Sequence, residues 1–244
     1  MGGAIITATD DMAVTSKRQT DAERFKQNIR KYWDITDNGP IGWFLGFQIK
    51  RDRKNKTISI NQHAYLESLA EKFQLTNTKL VKTPIEPGTH YSKEQGPSTP
   101  NQVAKMNRVL YSEAIGSILW PAVVSRLDVA YAIGILSQFI QNPRPLHWEG
   151  VKHVITYLYS MKQYCLTFGG VTKKLIEGYS NANWASQKYQ HLILGYVFYL
   201  GCGAIMWSSK KQHIIALSST KSEDIAQTCA AEEAIWIWSF IDEI

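Results

Sequence analysis

Apolar positions recur along this chain with two different periods, and the period changes mark its elements. From Ala4 to Thr15 the chain reads as two short β runs around Asp10-Asp11. Thr20 to Glu23 has the form of a capping box. It predicts a helix with Ala22, Phe25, Ile29 and Trp33 on one face. Gly39-Pro40 breaks the chain. The runs 43–49 and 57–60 predict two strands joined by a basic turn, Lys50 to Lys56. Residues 64–73 predict a short helix with Leu66, Leu69 and Phe73 inward.

Pro84, Pro87, Gly88, Gly96, Pro97 and Pro100 predict a linker over 84–102. Two helices follow, from Tyr111 to about Val124 and from Leu127 to Gln141. Pro143 and Pro145 separate them from a third, with Trp148, Val151, Ile155 and Leu158 on one face. From about residue 166 the period shortens. Residues 175–180, 193–200 and 204–207 predict strands, with a hairpin turn at Gly201-Cys202-Gly203. The apolar run 214–217 leads into a second capping box, Thr220 to Glu223, and a helix to the end of the chain. The expected fold class is α+β.

Composition narrows the class. At 244 residues, 44% hydrophobic and 20% charged, the chain can build a sizeable core and is not of disordered type. No apolar run approaches a membrane span. The first residues lack the basic region of a secretory signal, and Thr7 falls one place beyond the myristoylation pattern. Cys165, Cys202 and Cys229 stand far apart and suggest buried, reduced thiols in an intracellular compartment, cytoplasm or nucleus. The six histidines are scattered, and none is assigned to a metal.

The net charge of +6 is unevenly spread. Residues 1–89 carry 14 Lys and Arg against 10 Asp and Glu, whereas residues 171–244 carry 6 against 7. The basic excess suits a phosphate-backbone partner. The candidates for contact are Lys50, Arg51, Arg53, Lys54 and Lys56, with Trp43, Phe44 and Phe47 near them, and Lys210-Lys211. A solvated hairpin tip explains the basic turn equally well. Trp148, Trp236 and Trp238 are expected to pack helices.

Several stretches, in order, resemble copia-type LTR-retrotransposon Pol polyproteins, and the resemblance covers nearly the whole chain. They are Asp10-Asp11, the runs 43–49, 111–119 and 125–132, His147 to Glu149, Gly178 to Ala185, Gly195 to Phe198, Ile205 to Gln212 and Ala216 to Thr220. The resemblance implies the end of a reverse transcriptase palm with a primer-grip-like hairpin (1–83). A linker with helical thumb and connection (84–165) and the start of a ribonuclease H-like domain (166–244) would follow. The implied activity is RNA-directed DNA polymerisation with cleavage of RNA–DNA hybrid, using magnesium. The partners implied are RNA, DNA or their hybrid, and other polyprotein fragments, with no membrane.

Asp10 and Asp11 would be a metal-binding polymerase pair; by local sequence they also suit a turn. Glu223 aligns with a ribonuclease H helix glutamate, and its place in the second capping box explains it without metal. The chain departs from the family at decisive points. Ala8 and Thr9 stand where the family has Tyr and Val, and Leu127 replaces a Pro. Asn181 and Asn183 replace two Asp. A neutral amide cannot neutralise a divalent cation as a carboxylate does. The chain also starts nine residues before Asp10 and stops at Ile244, before the further carboxylates that the resemblance implies. The expectation is therefore a truncated, decayed segment, inactive alone. Two alternatives are a silent nucleic-acid-binding module and a fragment that assembles with another polyprotein piece.

Overall fold

Period-2 stretches pair into antiparallel sheets, and most of the 3.6-period stretches between them bury one face. The computed structural model describes residues 3–8, 11–92, 106, 108–170, 176–183, 191–215 and 219–243. Its antiparallel sheets and separate helices give the expected α+β class.

Strands β1 (Gly3–Ala8) and β2 (Asp11–Ser16) form a hairpin, with Gly3 opposite Ser16 and Ala8 opposite Asp11. Helix α1 (Gln19–Ile29) follows. It starts one residue before Thr20, so the first predicted capping box is not the cap: Arg18 is, with no side-chain hydrogen bond. The expected apolar face is also uncovered, since no α1 residue is buried and Trp33, beyond the helix end, is 66% exposed.

The second sheet has the order β3-β4-β5-β6, from β3 (Trp43–Phe44), β4 (Phe47–Asp52), β5 (Thr57–Asn61) and β6 (Leu166–Gly169). The run 43–49 is thus a tight hairpin rather than one strand. Leu45 (φ 52°) and Gly46 (φ 80°) turn it, in the left-handed conformation that a two-residue connection requires. Strand β6 lies against β5, with Ser59 Oγ and Thr167 Oγ1 2.9 Å apart. Residues 166–169 therefore complete the N-terminal sheet, beyond the boundary expected at 165/166.

Helices α2 (His63–Lys72), α3 (Tyr111–Val124), α4 (Ala130–Leu136) and α5 (Pro145–Ser160) surround the main core. Leu66, Leu69, Ile118, Ile133, Leu136, Val151, Val154, Ile155 and Leu158 pack there. Each Leu or Ile so buried contributes about 1.5–3 kcal/mol. The predicted helix from Leu127 to Gln141 is three pieces, with single 3-10 turns at Leu127–Val129 and Ser137–Phe139 flanking α4. Packing runs across the expected boundary at 83/84, because α2 shares this core with α3 to α5.

The described part of the expected linker, together with residues 81–83 just before it, is a strap over α5. Val81 N donates to Ser160 Oγ (3.1 Å), His153 Nε2 meets the Thr83 carbonyl (2.8 Å), and His147 Nε2 meets that of Ser92 (3.2 Å). Ile85 and Tyr91 pack on the core beneath. Proline content hid these anchors.

The third sheet, β7 (Ile176–Asn183), β8 (His191–Leu200) and β9 (Gly203–Ile215), has that order. Strand β9 is one long strand that takes in the run read at 204–207 and reaches Ile215, inside the run read at 214–217, whose last two residues lie outside the described residues. Helix α6 (Ser219–Glu243) buries Ala230 and Ile237 against Phe198. It begins at Ser219, which puts Thr220 inside the first turn and removes the second capping box. The cysteines are free, and two are exposed rather than buried: Cys165 ahead of β6 and Cys202 in the β8–β9 turn.

Candidate nucleic-acid interface

Strand β4 runs out of the core into a tip that the sequence makes basic. Asp52 shapes the turn: its Oδ1 accepts from the backbone N–H of Lys54 (2.9 Å) and Asn55 (3.1 Å), and Oδ2 accepts from Asn55 Nδ2 (2.6 Å). The Asn55 bonds, backbone first, hold its carboxyl below the usual carboxylate value. Lys56 takes a left-handed φ of 54° to close the turn. Lys50, Arg51, Arg53, Lys54 and Lys56 are all exposed, and none has a carboxylate partner among the described residues. The one acid of the tip already serves the turn, so the positive field is uncompensated locally.

Strand register sorts the neighbours. Trp43 pairs with Gln48, so alternation puts Trp43 and Lys50 on one face. Phe44 pairs with Phe47 and shares the other face with Arg51. Trp43 is 54% exposed, its ring tilted against His63 at 5.8 Å. Phe47 packs on Trp120 instead. An open indole on the same face as Lys50 can stack on a base while the cations farther along the hairpin meet phosphates.

The other basic pair does not act as a pair. Lys210 stands opposite Leu194 and Lys211 opposite Ile193, hence on opposite faces of the sheet. Lys210 is exposed, whereas Lys211 Nζ donates to Gln138 Oε1 at 3.2 Å.

Register also assigns faces to the ribonuclease H-like positions. Gly178 faces Phe198, whose ring packs on α6, so alternate residues 176, 178 and 180 look toward that helix. Exposed Asn181 therefore points to the other face. Glu223 is exposed in the first turn of α6. The side chain of Asn183 lies outside the described residues. Asp11 opens β2 opposite Ala8 and is exposed; Asp10 lies outside the described residues. Two-metal chemistry needs several carboxylates around the ions. Among the described residues no three His, Cys, Asp or Glu side chains come together. The described donors thus do not fit such a metal pair.

Residues 3–87 match the family model described as reverse transcriptase (RNA-dependent DNA polymerase). Over 98% of its length the chain is 35% identical to the retrovirus-related Pol polyprotein from transposon TNT 1-94 of Nicotiana tabacum. The chain belongs to the copia-type retrotransposon Pol family. It spans 18% of that tobacco polyprotein. The putative transposon Ty5-1 protein of Saccharomyces cerevisiae is 28% identical over 91% of the chain and 70% of its own length. A secreted RxLR effector protein of Plasmopara viticola is 42% identical over 54% of the chain and 94% of its own length. No solved structure matches the chain.

The reverse transcriptase match of this copia-type chain takes in β1 to β5, α1 and α2, and so the basic tip. Behind that sheet lies a cluster that residue patterns did not reveal. Arg126 is 2% exposed and donates to both Asp128 oxygens (Nε–Oδ1 3.0 Å, Nη2–Oδ2 2.7 Å) and to the Met161 carbonyl (3.0 Å). Tyr157 donates to Asp128 Oδ2 at 2.7 Å. Nearby, Asn61 at the end of β5 donates to the carbonyls of Lys162 and Tyr164. The available signal was Ser125-Arg126-Leu127-Asp128, a charged pair inside an apolar stretch.

Proposed function

We propose that this chain is a nucleic-acid-holding segment of a copia-type reverse transcriptase. It grips primer–template or RNA–DNA hybrid through the β4–β5 tip, and alone it neither extends a primer nor cuts a hybrid. The observation that carries this is the uncompensated cationic tip, with Lys50 on the face of the open Trp43 indole. Phosphates meet Lys50, Arg51, Arg53, Lys54 and Lys56, and Trp43 offers a base its ring. In this reading residues 1–83 are the palm end, 84–165 the thumb and connection, and 166–244 the start of a ribonuclease H-like domain. Its setting is intracellular, where nucleic acid is met. Asn181, a neutral amide on the sheet face away from α6, supports the loss of hybrid cleavage.

Filter binding of a labelled RNA–DNA hybrid across a salt series tests the grip. Affinity should fall steeply with salt, and Lys50→Glu with Arg51→Glu should weaken binding at least tenfold and flatten the slope by about 2. Binding indifferent to salt sinks the proposal. Primer extension with magnesium tests the silence: activity lost on Asp10→Ala, or hybrid cleavage lost on Glu223→Gln, would contradict it.

A further inference from the structure

The outer face of α6 is apolar where its inner face is already satisfied. Ala226, Ala230 and Ile237 are buried on the inner side. On the outer side Ala231, Ile235 and Trp238 follow at helical spacing, and all three are exposed. Ile235 is 68% and Trp238 70% uncovered. Trp236 and Phe240 stack on each other at the flank, with ring centroids 5.5 Å apart. An apolar stripe on a helix is normally covered, and of the two on α6 only the inner one is.

Charge decides between occupants. Residues 219–243 carry six acids against one base, Lys221. Asp224 and Asp242 lie on the outer stripe, above and below its apolar centre, and Glu232 is beside it; all three are exposed. A second α6 would set acid against acid in either orientation, which disfavours self-pairing. Nucleic acid is repelled by the same charges. A helix fits: small Ala231 lets a backbone approach, and Ile235 and Trp238 form a ridge for its groove.

We propose that the outer stripe of α6 docks an amphipathic helix of another polypeptide, with apolar anchors at three-to-four spacing flanked by Lys or Arg. This partner is separate from the nucleic acid held by the β4–β5 tip.

The test is fluorescence anisotropy with the full chain and a labelled 18-residue peptide of Leu and Lys, its Leu at helical spacing. Two control peptides are used, one with Glu for Lys and one with Leu in strict alternation. The helical Leu/Lys peptide should bind, with both controls at least tenfold weaker. Trp238→Ala and Asp242→Lys should each weaken it at least tenfold while circular dichroism shows unchanged helix content. Equal binding of the alternating peptide, or undiminished binding by both variants, overturns the proposal. So does sedimentation showing a dimer of the parent chain that Trp238→Ala abolishes, because the occupant is then a second copy.

Discussion

At the scale of single residues, the buried Arg126 is the chain's most consequential charge. Burial pushes the Asp128 carboxyl up, but the Arg126 hydrogen bonds and charge, with Tyr157, bring it below its usual value. The same burial, with Asp128 beside it, lifts the Tyr157 hydroxyl to about 12. Removing the half-buried Asp128 leaves the buried Arg126 charge uncompensated. Asp128→Ala should therefore cost about 3–5 kcal/mol in urea denaturation, whereas a cost near that of a surface pair would mean that water replaces the carboxylate. His147 gives a second test. Burial lowers its imidazole value; the Ser92 carbonyl works against this and Arg144 adds to the lowering. The unfolded chain thus binds the proton at higher pH than the folded one. Its contribution should be full above about pH 6.5 and lost as pH falls toward the folded-state value. The urea midpoint should drop from pH 8 to pH 5.5 more in the parent than in His147→Gln; equal drops would refute this.

Among the elements, α3 contains a proline that its pattern tolerated and its partners explain. Pro121 has no N–H for the Ser117 carbonyl four residues back. Tyr65 of α2 supplies the missing donor, its hydroxyl 2.8 Å from that oxygen. Tyr65→Phe should destabilise by about 1 kcal/mol and lower the urea midpoint without loss of helix; no change would show that solvent satisfies the carbonyl. Long periodic elements such as α5 were legible because burial follows their spacing: Val151, Ile155 and Leu158 are all inside. The hairpin at Leu45-Gly46 was not, since a leucine at positive φ carries none of the usual Asn-Gly signal. Nor was the cap of α1, where Arg18 stands and Thr20 merely looked suitable.

Over the whole molecule, family membership was legible in the ordered motifs, whereas the sheet face taken by Asn181 was not. Spacing along a chain does not say which sheet face a residue takes; only the pairing of Gly178 with Phe198 does. Packing crosses the expected boundaries for a related reason. Composition changes at 84, but Leu66 and Leu69 need α3 and α5 to bury them. Charge was the most readable global property, with a cationic tip on β4–β5 and an acidic α6.

The pairing of β5 with β6 also sets a timetable. Ser59 and Thr167 are 108 residues apart in the chain. During synthesis at roughly 5–20 residues per second, β5 waits about 5–20 s for its neighbour. Through that interval its outer backbone groups lie open to any passing strand. The sheet that presents the cationic tip is closed only after α2 to α5 have emerged, so the nascent chain can complete its helical core before it completes its grip.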